Sequence, residues 1–498
     1  KVEQLRAPTR QASAEFRLVW QPAAAPVDIS ASGAAPARRR IVLAEPGAWS
    51  DAAELPAGLQ WLPLPEGWRD AQVLAGLLAS LEPGAAGAAL DLLFWLSPSR
   101  VERDDAARRA ADTTRGLCVI GQALLALGES AGMRIGFATE GVEQVVEADA
   151  RQAPNVGDGV VAGFVKTLGF EQPQWRPWVV DLDARADGAA QIVLALDAAD
   201  DENDVAIRDR QRHVRRLAAA TADAADETHT VDAIDAADAA EASKNAIEAA
   251  REAPARGDRA YLITGGLGGI GLALARRLAR DGAGELVLVS RRGPEDAEAL
   301  AAHDMLAAAG VPLTWVRADV GDSEALRAGL AAVRLPLGGI YHAAGVLDDA
   351  PLQNLTDAHF ARVMHAKVAG SLNLDRIARE AGVERFVLFS SVAAVVGSAG
   401  QANYASANGF LAALGRARRA EGLGATVIHW GPWAEAGMAG PERVRQKIER
   451  AGFVLIEPEA ALDALQAVLA RDEAEAVIAR FDWARIADYL ADRGARPL

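Results

Sequence analysis

Cysteine is almost missing from these 498 residues: Cys118 stands alone. An internal disulfide is excluded, and a reducing compartment, the cytoplasm, is expected. Long apolar runs are missing too. None reaches the roughly 18 residues that a membrane helix needs, so no membrane span is expected. Basic charge is in deficit, with 52 Lys and Arg against 68 Asp and Glu and a net charge of −16. That argues against nucleic acid or an anionic membrane surface as the main partner. The opening residues Lys1-Val2-Glu3-Gln4 carry no signal-peptide pattern and no initiator Met, and a piece of a longer polypeptide is expected. His303, His359 and His365 show no metal-ligand spacing with cysteines or carboxylates, so no metal site is expected.

What is present reads as globular: 51% hydrophobic and 24% charged residues, in a chain long enough for two or three domains. From residue 14 to 218, short apolar runs alternate with helix-like segments. Phe16–Trp20, Arg40–Ala44, Asp91–Leu96, Met133–Thr139 and Trp178–Leu182 read as strands. Gln72–Leu81, Thr113–Ser130 and Val160–Leu168 read as helices. This βα alternation predicts a parallel sheet covered by helices. No glycine-rich fingerprint follows its first strands, and Gly157-Asp158-Gly159 is poorly placed for a pyrophosphate. The expectation is a Rossmann-like half without a cofactor over 1–218, closed by a hairpin of Asp204–Arg208 and His213–Leu217. Residues 219–257 differ. Thr221 to Glu252 holds nine acids against two bases and few apolar residues, which predicts a solvated linker.

Residues 258–490 predict a second, complete α/β unit. Strands are expected at Ala260–Thr264, Glu285–Val289, Leu313–Val316, Gly339–His342, Arg385–Phe389 and Ala425–His429, separated by helical segments. A doubly wound sheet of six or seven parallel strands follows. Phe453–Ile456, a helix from Pro458 and Ala476–Trp483 are expected to close its edge. Between the first strand and its helix lies Thr264-Gly265-Gly266-Leu267-Gly268-Gly269-Ile270-Gly271. Absent side chains let backbone approach a pyrophosphate, and the helix N-terminus supplies N–H groups. The second strand ends at Ser290-Arg291-Arg292. An acid there would hold a ribose 2′-hydroxyl; two arginines suit a 2′-phosphate, hence NADPH. Asp319, before Val320, is placed for the adenine edge or for capping the helix near Ser323. His342-Ala343-Ala344-Gly345 ends the fourth strand with small residues that let the chain pass close to a cofactor.

The stretch carrying chemistry runs from Phe389-Ser390-Ser391 to Tyr404-Ala405-Ser406-Ala407-Asn408. A strand-end hydroxyl and a phenol on the next helix converge at the carboxyl edge of a parallel sheet, where such sheets bind ligands. A phenol there donates a proton if something lowers its pKa from about 10, and Lys367 is the candidate. Taken together, Thr264-Gly265-x-x-x-Gly269-x-Gly271, His342-Ala343-Ala344-Gly345 and the Ser391/Tyr404 pair resemble the short-chain dehydrogenase/reductase superfamily. His365-Ala366-Lys367-Val368-Ala369-Gly370-Ser371, Phe389-Ser390-Ser391 and Gly400-Gln401-Ala402-Asn403-Tyr404-Ala405-Ser406-Ala407-Asn408 resemble, more narrowly, the β-ketoacyl reductase domain of modular type I polyketide synthases.

That resemblance implies a degenerate N-terminal structural half, matching 14–218, and a catalytic half that binds NADPH. The acidic linker is longer than the family leads one to expect. In ordinary short-chain dehydrogenases a Lys follows the Tyr by four residues; here Asn408 stands there and Lys367 comes earlier, an exchange the ketoreductases share. The resemblance implies that Tyr404 protonates the carbonyl oxygen and Ser391 hydrogen-bonds it. Lys367 lowers the Tyr pKa and holds the nicotinamide ribose, and Asn408 orders a relay water. Val346-Leu347-Asp348-Asp349 resembles the Leu-Asp-Asp motif of B-type domains, which give D-configured hydroxyls. Val396 stands eight residues before Tyr404, where A-type domains carry Trp. Both imply a B-type enzyme, and the absence of Pro around Ala399 and Ala407 implies one that does not epimerise an α-substituent. Trp430-Gly431-Pro432-Trp433 through Met438 ends the sixth strand and opens a lid over substrate, spanning about 434–448. The substrate implied is a β-ketoacyl chain on an acyl carrier protein, with neighbouring synthase domains as further partners. The parent synthase is expected to be dimeric and this piece monomeric. Alternatives are a fatty-acid-synthase-type reductase, a free-standing short-chain reductase, and an inactive reductase-like scaffold.

Overall fold

The computed structural model describes residues 15–23, 38–45, 59–81, 89–96, 103–128, 133–152, 154–184, 188–197, 202–220, 255–292, 297–308, 310–434 and 442–491. Linker residues 221–254 and Met438 lie outside the described residues. In the N-terminal half the strands are β1 (Glu15–Pro22), β2 (Arg39–Ala44), β3 (Leu59–Pro63), β4 (Leu90–Trp95), β5 (Met133–Glu140), β6 (Trp178–Leu182), β7 (Asp204–Arg208) and β8 (Gln211–Ala219). In the C-terminal half they are β9 (Ala260–Thr264), β10 (Glu285–Ser290), β11 (Leu313–Arg317), β12 (Leu337–His342), β13 (Arg385–Ser391), β14 (Thr426–Trp430), β15 (Phe453–Val454), β16 (Glu475–Ile478) and β17 (Arg480–Phe481).

Most of the apolar runs become strands buried on both faces, as parallel sheets require, while β1 and the edge strand β11 are half-buried. β9, β12, β13 and β14 carry almost no exposed residue. The order β11-β10-β9-β12-β13-β14-β16 is parallel throughout. It is the doubly wound arrangement, with the strand order reversing beside β9. The N-terminal half repeats the theme: β7-β6-β5-β4-β2-β3 are parallel neighbours.

The two halves do not form separate sheets. β1 pairs antiparallel with β8 along seven residues and with β16 at Glu15 and Phe16. One 15-stranded sheet results. This corrects two expectations. The β7–β8 hairpin lies inside the sheet rather than closing the first half. β16 is likewise internal, and the short β15 and β17 form a ribbon of their own. A buried apolar strand reads the same in sequence whether its second neighbour is a strand of its own half or of the other. β3 and the helix Gly188–Asp197 lack a clear sequence pattern and were not expected, and the helix Ala106–Leu127 begins seven residues before the expected start.

The second bond between halves is a helix pair. Val160–Glu171 packs along Ala402–Ala420, the helix carrying Tyr404. A Cβ on Gly163 would overlap the Ala405 carbonyl oxygen, and one on Gly159 would lie 2.6 Å from the Ala413 Cβ. The Gly157-Asp158-Gly159 turn thus serves close helix packing. Asp158 is buried and accepts from Arg109, Thr113 and Asn155. A buried ionic cluster sits at the same seam. Arg416 reaches Glu475 at 2.9 Å and Glu143 at 3.3 Å, Arg215 reaches Asp204 and Glu143, and Lys166 pairs with Asp204 at 2.9 Å. No helix among the described residues is long and apolar enough to cross a membrane.

Candidate active site

A cleft of about 1250 Å³ opens at the carboxyl ends of β9, β10, β12 and β13. The turn after β9 forms its floor. Gly265 has φ +68°, a conformation that costs glycine nothing, and a Cβ there would press on the Ala343–Ala344 backbone at 3.1 Å. Gly271 folds the first helical turn back onto Gly265, where a Cβ would overlap the Gly265 carbonyl oxygen. Thr264, Gly265, Leu267, Gly268, Gly269, Ile270 and Gly271 all line the cleft. Gly266 does not. It faces β10, and its Cβ would lie 2.9 Å from the Leu288 Cβ.

Ser290, Arg291, Arg292, Asp319, Val320, Ala343, Ala344 and Gly345 continue the lining. The two arginines are exposed at the end of β10. The helix at Ser323 is capped by Asp322, which accepts from Glu324 and Ala325 N–H. That frees Asp319 from the capping role. Its carboxylate accepts from Gly321 N–H at 2.9 Å and meets His365 Nε2 at 3.1 Å. His342 is fully buried and stands behind the lining. Its Nδ1 shares a proton with Thr264 Oγ1 at 2.8 Å. Burial, and then the Lys367 charge, push its pKa down to about 3, so it stays neutral and holds the strand end in place. The residues fit a dinucleotide: a side-chain-free turn at a helix N-terminus, two cations where an acid would select the unphosphorylated ribose, and a buried Lys at the far end.

Tyr404, Ser391 and Lys367 meet in this cleft. Ser391 ends β13. Tyr404 and Asn408 lie one turn apart on the helix Ala402–Ala420. Lys367 sits in a π-helical segment, His365–Ala369, between two α-helices. Such bulges re-aim a side chain and recur at functional sites. Lys367 is 3% exposed; its Nζ donates to the Phe389 carbonyl at 2.9 Å and lies 5.8 Å from the centre of the Tyr404 ring. Burial lowers its pKa to about 7. Burial raises the Tyr404 pKa, hydrogen bonding to Ser391 and Asn408 opposes this, and the Asp349 charge adds to it. In this geometry the Lys367 Nζ is turned to the Phe389 carbonyl rather than to the Tyr404 hydroxyl. Asn408 lies behind Tyr404 rather than in the cleft. Its Nδ2 donates to the Tyr404 carbonyl at 2.8 Å, and its buried Oδ1 has no partner among the described residues, an acceptor suited to a water.

Leu347, Asp349, Val396, Gln401 and Trp433 also line the cleft. Asp349 Oδ2 accepts from Gln401 Nε2 at 3.0 Å. Burial raises the Asp349 pKa. Asp348 is not a lining residue; its carboxylate pairs at 2.8 Å with Arg362, which is, and its carbonyl accepts from Asn403. Of the expected lid, the helix Glu442–Arg450 places Val444, Lys447 and Ile448 on the cleft, and Lys447 donates to the Ala399 carbonyl. Among the described residues no group of metal-binding side chains gathers. Among the lining residues not foreseen is Phe170, from the N-terminal half. The Gly159/Gly163 spacing marks a helix face packed closely on something, but nothing local says on what.

The family described as "KR domain" matches residues 259–435. The chain is 33% identical over 445 residues to the polyketide synthase GfsA of Streptomyces halstedii, covering 86% of this chain and 5% of that protein. It is 34% identical over 412 residues to erythronolide synthase EryA3 of Saccharopolyspora erythraea, covering 79% of this chain and 12% of that protein. The chain therefore spans a small part of these curated relatives. Among solved structures, one of A-type ketoreductases from a modular polyketide synthase superposes with TM-score 0.78 at 30% identity, covering 98% of this chain and 96% of the other. The first ketoreductase of the tylosin synthase superposes with TM-score 0.76 at 28% identity, covering 97% and 96%. With sequence, fold and cleft in agreement, the chain belongs to the ketoreductase domains of modular polyketide synthases, oxidoreductases of the short-chain dehydrogenase type.

Proposed function

We propose that this chain uses NADPH to reduce the β-keto group of an acyl thioester held on an acyl carrier protein, giving a D-configured β-hydroxyl without epimerisation. The observation that carries the reading is the convergence of Ser391, Tyr404 and Lys367 on a cleft continuous with the glycine turn. When bound, the nicotinamide supplies a hydride to the β-carbon. The carbonyl oxygen then gains negative charge, which needs donors already aimed at it. Tyr404 supplies the proton, and Ser391 donates a hydrogen bond to the same oxygen. Asn408 Oδ1 holds a water that reprotonates the phenol. Lys367 turns from Phe389 to the nicotinamide ribose, and its ammonium then favours the phenolate. Arg291 and Arg292 hold the 2′-phosphate; Thr264, the 265–271 turn, Ser290, Asp319, Val320 and Ala343–Gly345 frame the rest, with His342 as support.

The D-configuration rests on Asp349, Gln401 and Val396. The Asp349–Gln401 pair fixes one wall of the entrance, and Val396 leaves open the space a Trp would fill. Leu347 and Trp433 complete the substrate side. On this reading 1–218 is the structural half, 219–257 a linker and 258–490 the catalytic half. The test follows NADPH absorbance with a β-ketoacyl N-acetylcysteamine thioester, compares the native protein with Tyr404→Phe, and resolves the product on a chiral column. Turnover lost in the variant with a D product in the native protein supports the reading. An L product overturns the role of Asp349, and absence of both turnover and NADPH binding overturns the reductase.

A further inference from the structure

We propose that the last turn of the helix Val160–Glu171, in the half without a cofactor, is part of the substrate site: Glu171 positions both loops that flank the entrance, and Phe170 walls the acyl channel. This deepens the ketoreductase reading and rests on it. The Glu171 carboxylate is divided between two segments far away in the chain. Oε2 accepts the Leu352 N–H at 2.7 Å, and Oε1 accepts the Gly400 N–H at 2.9 Å. Leu352 closes the loop carrying Leu347 and Asp349. Gly400 immediately precedes Gln401.

The two loops are tied to each other at the same place. Ala350 N–H donates to the Gly400 carbonyl at 2.9 Å, and Gln401 donates to Asp349 at 3.0 Å. Gly400 has φ +82°, so the loop turns sharply there and presents its N–H to the carboxylate. One anion thus accepts two backbone N–H groups that no strand or helix satisfies, and charge-assisted bonds of this kind are among the stronger ones. The spacing between Asp349 and Gln401 is set from across the domain seam.

Phe170 stands beside this clamp. It lines the cleft with Val396, Gly397, Ser398 and Ala399. A Cβ on Gly397 would lie 2.9 Å from Phe170 Cδ2 and 2.5 Å from the Lys166 carbonyl oxygen. The ring therefore packs directly on the loop before Tyr404, where an aromatic face suits an acyl chain. Thr264, the glycine turn, Arg291 and Arg292 belong to other loops, and Ala343–Gly345 precede the clamped part of theirs, so the clamp bears on thioester more than on NADPH.

The experiment uses the full chain and compares the native protein with Glu171→Gln and Phe170→Ala. Read-outs are NADPH dissociation by fluorescence, KM and kcat with short and long β-ketoacyl N-acetylcysteamine thioesters, the product enantiomer ratio, and the melting temperature. Glu171→Gln puts an NH2 group against one backbone N–H. The expected result is a rise in thioester KM of about tenfold and a fall in the enantiomer ratio of about tenfold, with NADPH dissociation within about twofold. Phe170→Ala is expected to raise KM for the long thioester at least about fivefold more than for the short one. It carries the test if Glu171→Gln does not yield folded protein. Native turnover with KM and enantiomer ratio unchanged in Glu171→Gln, or with equal KM changes for both chain lengths in Phe170→Ala, overturns the inference and leaves the ketoreductase standing. A parallel loss of NADPH binding and kcat assigns the residues a merely structural role and also overturns it. A native protein that reduces no thioester overturns the functional reading, and this inference with it.

Discussion

Replacing Lys367 by Met is expected to stabilise the protein while abolishing its activity. Lys367 is buried, and among the described residues its Nζ makes one hydrogen bond, to the Phe389 carbonyl, and no carboxylate partners it. Burial moves its pKa from 10.5 to about 7. Between those values the unfolded chain holds a proton that the folded chain has released, so stability rises with pH across the window from about 7 to 10.5. At about 1.36 kcal/mol per pH unit, holding this side chain in place costs about 4 kcal/mol at pH 7 and about 2 kcal/mol at pH 9. Losing the hydrogen bond to Phe389 returns about 1 kcal/mol. Lys367→Met without cofactor should therefore be more stable by about 3 kcal/mol at pH 7 and by about 1 kcal/mol at pH 9. Denaturant unfolding of both proteins at the two pH values, with thermal melts alongside, measures this. A variant less stable than the native protein at pH 7, or a difference that does not shrink towards pH 9, refutes the reasoning. Thioester reduction should fall at least about a thousandfold at pH 7 and below, where the native side chain holds its proton and supplies a cation to a site where charge develops.

Three further outcomes test the architecture and the cofactor pocket. Gly163→Val forces a side chain into the Ala405 carbonyl and should destabilise by about 3 kcal/mol or more, lowering the melting temperature and activity together because the displaced helix carries Tyr404. Arg416→Ala leaves Glu143 and Glu475 buried without their shared cation and should cost about 3–5 kcal/mol, whereas Arg416→Met with Glu143→Gln should recover part of that; denaturant unfolding separates the two. Arg291→Ala combined with Arg292→Ala should raise the NADPH dissociation constant about tenfold or more and leave that of NADH within about twofold, since only the 2′-phosphate interaction is removed; fluorescence titration measures both.

How much was legible in advance follows the range of the interactions. The strands β9, β10, β12, β13 and β14 are apolar runs, and the turn at 264–271 is a contiguous glycine pattern. The residues 391, 404 and 408 lie on one strand–helix unit whose geometry is local. Period, turn chemistry and short spacings specify all of these within about twenty residues. Lys367 was legible as a candidate, but its orientation towards Phe389 was not, because that depends on a π-helical turn and on packing. His342 and Gly266 were read with the cofactor-facing group and stand behind it, since adjacent residues of a strand end or tight turn point to opposite sides.

By itself the amino-acid sequence indicated two βα-alternating halves, a doubly wound parallel sheet in the second, the glycine turn after its first strand and the strand–helix unit that carries Ser391, Tyr404 and Asn408. Only the tertiary structure decided that β1 sews both halves into one sheet, that glycines 159 and 163 bring two helices into contact, that Asp322 rather than Asp319 caps its helix, and that Phe170 and Glu171 reach the active-site entrance. Glu171 and Gly400 are 229 residues apart. Neither carries a periodic or spacing signal that names the other, because a hydrogen bond between distant segments leaves its mark on the sequence only through the shape of everything between them.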